Sequence, residues 1–345
     1  MEMTDNQLKM MQLRNYQAMP LGAKVTRTKE LIRQALEHFD DQMYVAFSGG
    51  VDSTVMLDLV WSVDPTIPAV FSDTGNELES IREFVRGYGD RVVWVEPDMT
   101  FDEVVDKWGY PVVSKKMSDY INRCRRTKSE RVIKRHRYGL KADGSPSPMS
   151  KIPAKWWHLV EGDIDVTNRC CGILKDRPTG KYREATGRFA FVGTMAEESM
   201  TRRNSYLNEG GCNAFSQKDP CSRPVMFWTG ADMKEYIVTN DLKISSAYGE
   251  IVEQVDGSKK FSGHQRTGCK FCLFGIHLEP TNQPNRIQKL YTEEPEAYFH
   301  CIVNLHYDVV MNELGVDWRP FKEPDVQTDM FDARYEIDVK ELHGE

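Results

Sequence analysis

Residues 48–53 read Ser-Gly-Gly-Val-Asp-Ser and follow a short apolar run at 44–47. Small residues between a strand and a helix make a phosphate cradle. Gly49 and Gly50 let the backbone approach phosphate oxygens. Backbone N–H groups and the positive end of the next helix favour the negative charge. Ser48 and Ser53 add hydroxyl donors. Asp52 by itself would repel a phosphate, so its presence is explained by a Mg²⁺ held between phosphates. Neither GxxxxGK[ST] nor GxGxxG occurs, which excludes an ordinary P-loop NTPase and the dinucleotide fold of that fingerprint.

The elements around this loop follow from apolar spacing. A helix is expected from 28 to 39, a strand at 44–47, a helix over 53–63, a strand at 67–72, a helix over 77–86 and a strand at 91–95. A further strand at 188–193 and a helix over 229–240 resume the pattern. This β-α-β-α-β order predicts an α/β fold, a parallel sheet with helices on both faces. Ligands in such sheets sit beyond the carboxyl ends of the strands. Residues 48–52 lie at such an end, as do Asp73, Thr74 and Gly75. Glu198, Ser199, Arg202 and Arg203 follow the strand at 188–193 in the same way. The Gly-, Ser- and Pro-rich stretch 139–155 reads as a loop or flexible insertion. After 245 the sequence becomes irregular, then helical again near 285–314. The expected divisions are an N-terminal extension 1–26, a nucleotide-binding α/β domain 27–245, a C-terminal helical region with a CxxC at 246–320, and an acidic tail 321–345.

The bulk composition narrows the class. The chain has 345 residues, 40% hydrophobic and 28% charged, enough for a sizeable core. No stretch approaches the roughly 20 apolar residues of a membrane helix. The first twenty residues lack the order of a secretory signal, so the chain reads as cytoplasmic, with no membrane partner. The formal charge is −7, yet residues 115–141 hold eleven lysines and arginines against Asp119 and Glu130. That segment is a candidate site for a polyanion such as nucleic acid; a solvated helix face is the alternative. Eight cysteines in a chain of this length point to metal binding or catalysis rather than a disulfide scaffold.

SGGVDS resembles the SGGxDS PP-loop of the ATP pyrophosphatases. Further stretches are FSDTGNE at 71–77, GYPVVSKK at 109–116, CCGILKDRP at 170–178, GTMAEESMTRR at 193–203 and TGCKFCLFG at 267–275. With these the chain resembles the phosphoadenosine-phosphosulfate reductase family over roughly 45–280. The resemblance implies an adenine nucleotide alpha hydrolase-like fold and binding of ATP, with cleavage between the α- and β-phosphates. It also implies that Cys170, Cys171, Cys269 and Cys272 bind a [4Fe–4S] cluster, as the CC…CxxC set does in the family's iron–sulfur members. Four cysteines also suit a structural Zn²⁺; the adjacent pair favours the cluster. Cys124, Cys212, Cys221 and Cys301 have no ligand spacing and read as buried thiols.

Two departures from the reductases bear on function. No cysteine follows Cys301, so the C-terminal nucleophile of true sulfonucleotide reductases is expected to be missing. Asp52 is present where sulfonucleotide-binding members usually lack it. Both fit the branch that resembles the DNA phosphorothioation sulfur-transfer protein. On that reading Ser48, Gly49, Gly50 and Ser53 cradle phosphate. Asp52 positions Mg²⁺, with Asp73 as a second candidate. Lys115, Lys116, Arg202 and Arg203 meet phosphates, since guanidinium forks match phosphate oxygens. Lys175 balances cluster charge. The function expected is an ATP pyrophosphatase that adenylates a substrate and transfers sulfur, on nucleic acid and with a sulfur-donor protein. The alternatives are a phosphoadenylyl- or adenylyl-sulfate reductase and an accessory protein that binds nucleotide and cluster without catalysis. The acceptor and the oligomeric state are not legible.

Overall fold

A computed structural model of the chain describes residues 4–321. The acidic tail expected from 321 therefore lies, apart from Phe321, outside the described residues. The chain divides into two compact units, one built from residues up to 98 with 174–268, the other from 99–173 with residues from 269 on. These divisions at 98, 173 and 268 differ from the continuous segments suggested by composition. Among the described residues, no helix is long and apolar enough to cross a membrane.

The first unit carries a six-stranded sheet. Its strands are β1 (Met43–Ala46), β2 (Ala69–Ser72), β3 (Val92–Val95), β4 (Phe189–Val192), β5 (Asn213–Ala214) and β6 (Cys221–Ser222). They lie in the order β3-β2-β1-β4-β6-β5, all neighbours parallel except the antiparallel pair β5 and β6. Parallel strands are buried on both faces, and the sequence provides for this. Tyr44, Val70 and Ala190 form a buried cluster with Tyr182 on one face, while the alternating Val45, Phe71 and Phe191 are buried as well. The strand order runs outward in both directions from β1 and β4. Their carboxyl ends therefore open the crevice at which ligands of such sheets bind.

The helices of this unit are α1 (Asp5–Gln17), α2 (Leu21–His38), α3 (Val51–Trp61), α4 (Glu79–Arg86), α5 (Arg177–Thr186), α6 (Met200–Asn208) and α7 (Gly230–Thr239). Helix α3 leaves the phosphate loop and is buried along almost its whole length. It packs on β1 and β4 and is covered by α2 and α7, while α5 packs on β2 and β3. The boundary expected at residue 26 falls inside α2, which starts at Leu21 after Pro20. The reason is a polar stretch of buried face. Lys24, only 2% exposed, pairs with Asp232 at 2.6 Å, and Thr28 accepts the Trp228 indole N–H at 2.9 Å. A stripe made of Lys24 and Thr28 shows no apolar period until Leu31.

The second unit is mostly helical, with helices Phe101–Trp108, Lys115–Arg126, Glu130–Tyr138, Arg286–Glu293, Pro295–Phe299 and Tyr307–Glu313. Phe101, Ile121, Leu159, Leu273, Ile287, Tyr298 and Tyr307 are among its buried residues. A two-stranded parallel contact joins Val112–Val113 to Leu273–Phe274. Val113 holds φ 61°, a costly conformation for a β-branched residue, and its carbonyl accepts the Gly275 N–H at 2.9 Å. The stretch 139–155 is a loop with internal order. Ser147 N–H donates to the Gly139 carbonyl, and Ile152 N–H to the His136 carbonyl.

Candidate functional site

The loop at 48–50 is held by its own hydroxyls. Ser53 Oγ accepts the Ser48 N–H at 3.1 Å and donates to the Gly50 carbonyl at 2.9 Å, while the two serine hydroxyls lie 3.0 Å apart. Gly49 has φ 69°, and a methyl group there would stand 2.8 Å from Ile81 and 2.9 Å from Val85 on α4. Only glycine satisfies both the backbone angle and that contact. Gly193, at the end of β4, lets the chain pass α3 closely. A methyl group there would meet the Asp52 carbonyl oxygen at 2.8 Å.

These approaches frame a cavity of about 670 Å³ within the first unit. Ser48, Gly50, Asp52 and Ser53 form one wall, and Gly193, Glu197, Glu198 and Arg202 a second. Lys234 comes from α7. Tyr248, Phe261, Gln265, Arg266 and Thr267 come from the segment after α7.

Charge is concentrated around Asp52. Burial, then the nearby Glu198 carboxylate, pushes the Asp52 carboxyl up from 3.8 to about 6, against the pull of Arg266, Arg202 and Lys234. Glu198 accepts the Met195 N–H at 2.8 Å and pairs with Arg202 Nε at 3.0 Å. Burial holds the Lys234 amine below its usual range, opposed by Glu197 and Asp52. Its Nζ donates to the Gly230 carbonyl at 3.1 Å.

The structure brings Ser48, Gly50, Asp52, Ser53, Glu198 and Arg202 to one cavity and leaves other expected residues outside its lining. Asp73 is the clearest difference. Arg82 grips its carboxylate through two hydrogen bonds of 3.1 and 2.7 Å, and the Gly75 N–H donates to it at 3.2 Å. Asp73 closes the turn after β2 instead of facing the Asp52 cavity. Thr74 is bound by Glu77, which also meets Lys175 at 3.2 Å. Lys175 is thus placed against a carboxylate. Gly75, with φ 71°, belongs to the same turn. Ser199 caps α6, accepting the Arg202 N–H at 3.2 Å. Arg203 reaches the Met200 sulfur. Lys115 and Lys116 open a helix of the second unit. Lys234, Tyr248, Gln265, Arg266 and Thr267 were not anticipated. The polar run Gln265-Arg266-Thr267 before the CxxC was a visible signal; nothing marked Lys234 within its helix.

Cys170, Cys171, Cys269 and Cys272 all belong to the second unit. A hydrogen bond with Cys171, then burial and the proximity of Cys171, Cys272 and Cys269, push the Cys170 thiol far up. Cys170 thus lies within electrostatic reach of the other three sulfurs, and four thiols are by their chemistry a soft donor set of the kind that ligates a [4Fe–4S] cluster or zinc. Among the described residues, no three His, Cys, Asp or Glu side chains are grouped as the ligands of a single metal ion. Cys124, Cys212 and Cys301 are buried and Cys221 half-buried, and burial raises all four thiols.

A glycine-hydroxyl cradle at the switch point of a mostly parallel, helix-flanked sheet defines a nucleotide-binding α/β protein. The family model "Phosphoadenosine phosphosulfate reductase domain" matches residues 42–272, and the chain belongs to that family. It is similar to an adenosine 5'-phosphosulfate reductase of Staphylococcus haemolyticus, 21% identical over 228 residues, covering 64% of this chain and 71% of that protein. It is also similar to an uncharacterized protein of Methanocaldococcus jannaschii, 22% identical over 268 residues, covering 76% of this chain; it spans 48% of that protein's length. Among solved structures, the phosphate complex of phosphoadenylyl-sulfate (PAPS) reductase from Candida auris is 14% identical, with a TM-score of 0.37 over 64% of this chain and 82% of that one.

Proposed function

We propose that the cavity at 48–53 binds Mg²⁺–ATP and that the protein cleaves it between the α- and β-phosphates to adenylate an acceptor. The observation that carries this reading is the buried Asp52 carboxyl in a phosphate cradle, raised further by the nearby Glu198 carboxylate, which is itself paired with Arg202 at 3.0 Å. A carboxylate in the cradle repels a phosphate unless a cation lies between them. Mg²⁺ prefers one or two carboxylates together with substrate phosphates, and its charge would draw Asp52 back to the carboxylate form.

The roles follow from placement. The loop N–H groups and the start of α3 hold phosphate oxygens, with Ser48 and Ser53 as hydroxyl donors. Asp52 binds the Mg²⁺ that enters with the nucleotide. Arg202, Lys234 and Arg266 line the cavity and neutralise charge that develops on the departing pyrophosphate. An acceptor oxygen attacks the α-phosphorus; the bond to the bridging oxygen breaks, and that oxygen leaves with its electron pair as part of pyrophosphate. A sulfur nucleophile, delivered by a donor protein, then displaces AMP from the acceptor. Cys170, Cys171, Cys269 and Cys272 would hold a [4Fe–4S] cluster, with zinc as the alternative. Such a cluster supplies thiophilic iron. The basic helices Lys115–Arg126 and Glu130–Tyr138 and the residues between them favour a nucleic-acid acceptor, because exposed Arg126, Lys128 and Arg131 match a phosphate backbone.

A second reading, reduction of an adenylyl sulfate, is favoured by the Staphylococcus haemolyticus relative, whose name states that activity. The two separate in an anaerobic assay with two arms, one with Mg²⁺–ATP and a mixed nucleic-acid pool, the other with adenylyl sulfate and thioredoxin. Release of pyrophosphate, with AMP retained on the acceptor until a sulfur donor is supplied, is the expected outcome. ADP with phosphate refutes α–β cleavage. Sulfite released from adenylyl sulfate with thioredoxin establishes the second reading. Nucleotide retention without turnover in either arm indicates an accessory role.

A further inference from the structure

Two hydroxyls from the segment after α7 stand over the phosphate loop. Tyr248 is 3% exposed. Its hydroxyl accepts the Val51 N–H at 3.2 Å and shares a hydrogen bond with the Thr267 hydroxyl at 2.6 Å. A methyl group built on Gly50 would lie 3.3 Å from the Tyr248 oxygen and 3.6 Å from Thr267 Oγ1. Both hydroxyls thus reach into the space that the loop leaves open.

Val51 is the first residue of α3. Its N–H is one of the donors that a helix cannot satisfy internally, and such donors are what an anion at a helix N-terminus uses. One N–H makes one strong hydrogen bond, so a phosphate oxygen and the Tyr248 oxygen compete for it. The Tyr248 ring is fixed independently by Phe261, whose centroid lies 5.0 Å away. The hydroxyl is therefore positioned by packing on one side and by Thr267 on the other.

We propose that Tyr248 and Thr267 form a hydroxyl latch on the phosphate loop, and that a ligand phosphate binds by taking the Val51 N–H from Tyr248. Tyr248 is then a positioning residue that sets affinity by competition. For the identity of the ligand this rests on the nucleotide reading above; the competition itself concerns any phosphate in the loop.

The test uses the whole protein, with ATP and Mg²⁺ in one arm and inorganic pyrophosphate in the other. Tyr248→Phe keeps the ring and removes the competitor, so both ligands should bind tighter, by about two- to tenfold for one neutral hydrogen bond. In wild-type protein labelled with ¹⁵N-valine, either ligand should shift the Val51 amide resonance. Weaker binding by Tyr248→Phe, or a Val51 amide indifferent to a ligand that binds, overturns the latch while the nucleotide reading stands. Pyrophosphate binding with the predicted gain, but no ATP binding, sinks the nucleotide reading and leaves the latch. Failure of wild-type protein to bind either ligand overturns both.

Discussion

Asp52 joins the site's chemistry to the protein's stability. Its carboxyl is raised from 3.8 to about 6, chiefly by burial. The folded state therefore holds this proton more tightly than the unfolded chain. The stability from this group is present in full below about pH 4 and is lost as pH rises through about 6. At pH 8 the buried charge costs about 3 kcal/mol by the usual conversion of a pKa difference. Asp52→Asn should accordingly raise stability by up to about 3 kcal/mol at pH 8, and the gain should vanish near pH 4. Urea melts of both proteins at the two pH values check this; a variant less stable at pH 8 would contradict it. Nucleotide binding should run the other way. Below about pH 6 the protonated carboxyl is a poor Mg²⁺ ligand, so Mg²⁺-dependent affinity should fall as pH drops.

The close passage of β4 past α3 is a matter of packed elements. Gly193→Ala would press a methyl group onto the Asp52 carbonyl and the Ser53 Cα, both backbone atoms. Overpacking of this kind costs about 1–3 kcal/mol. It would also displace the loop donors, so nucleotide affinity should drop at least about tenfold. Calorimetric titration and thermal melts measure both; an unchanged affinity would show that β4 does not set the cradle. These elements were largely legible. The short apolar runs of β1, β2 and β4, separated by helical periods, and the SGGVDS turn announce a parallel sheet with a phosphate loop. What hid was polar. Lys24 and Thr28 mask the first turns of α2, because a buried ion pair carries no apolar period. Asp73 looked equivalent to Asp52, since both follow strands. Only the structure places Arg82 against it. Tyr248 reaches the loop, and Lys234 its cavity, from distant sequence, a placement that no local pattern encodes.

For the whole molecule, two claims concern what the chain carries and what it meets. Anaerobically prepared protein should contain about four iron and four sulfide per chain, and replacing Cys170 or Cys272 with Ser should lower both. A colourless protein with zinc would refute the cluster. The basic run at 115–141, in a chain whose total charge is −7, predicts strongly salt-dependent nucleic-acid binding through that segment alone. Neutralising Arg126, Lys128 and Arg131 together should reduce the slope of log affinity against log salt by about 2 to 3. An unchanged slope would place the nucleic acid elsewhere or exclude it. The proposed adenylation depends on the metal–nucleotide reading of the Asp52 cavity. Equilibrium binding of ATP by wild-type protein and Asp52→Asn, each with Mg²⁺ and with a chelator, tests that reading most directly. The account predicts that Mg²⁺ strengthens binding to the wild type at least about tenfold and does nothing for the variant. Wild-type binding indifferent to Mg²⁺, with adenylyl sulfate bound more tightly than ATP, would contradict it.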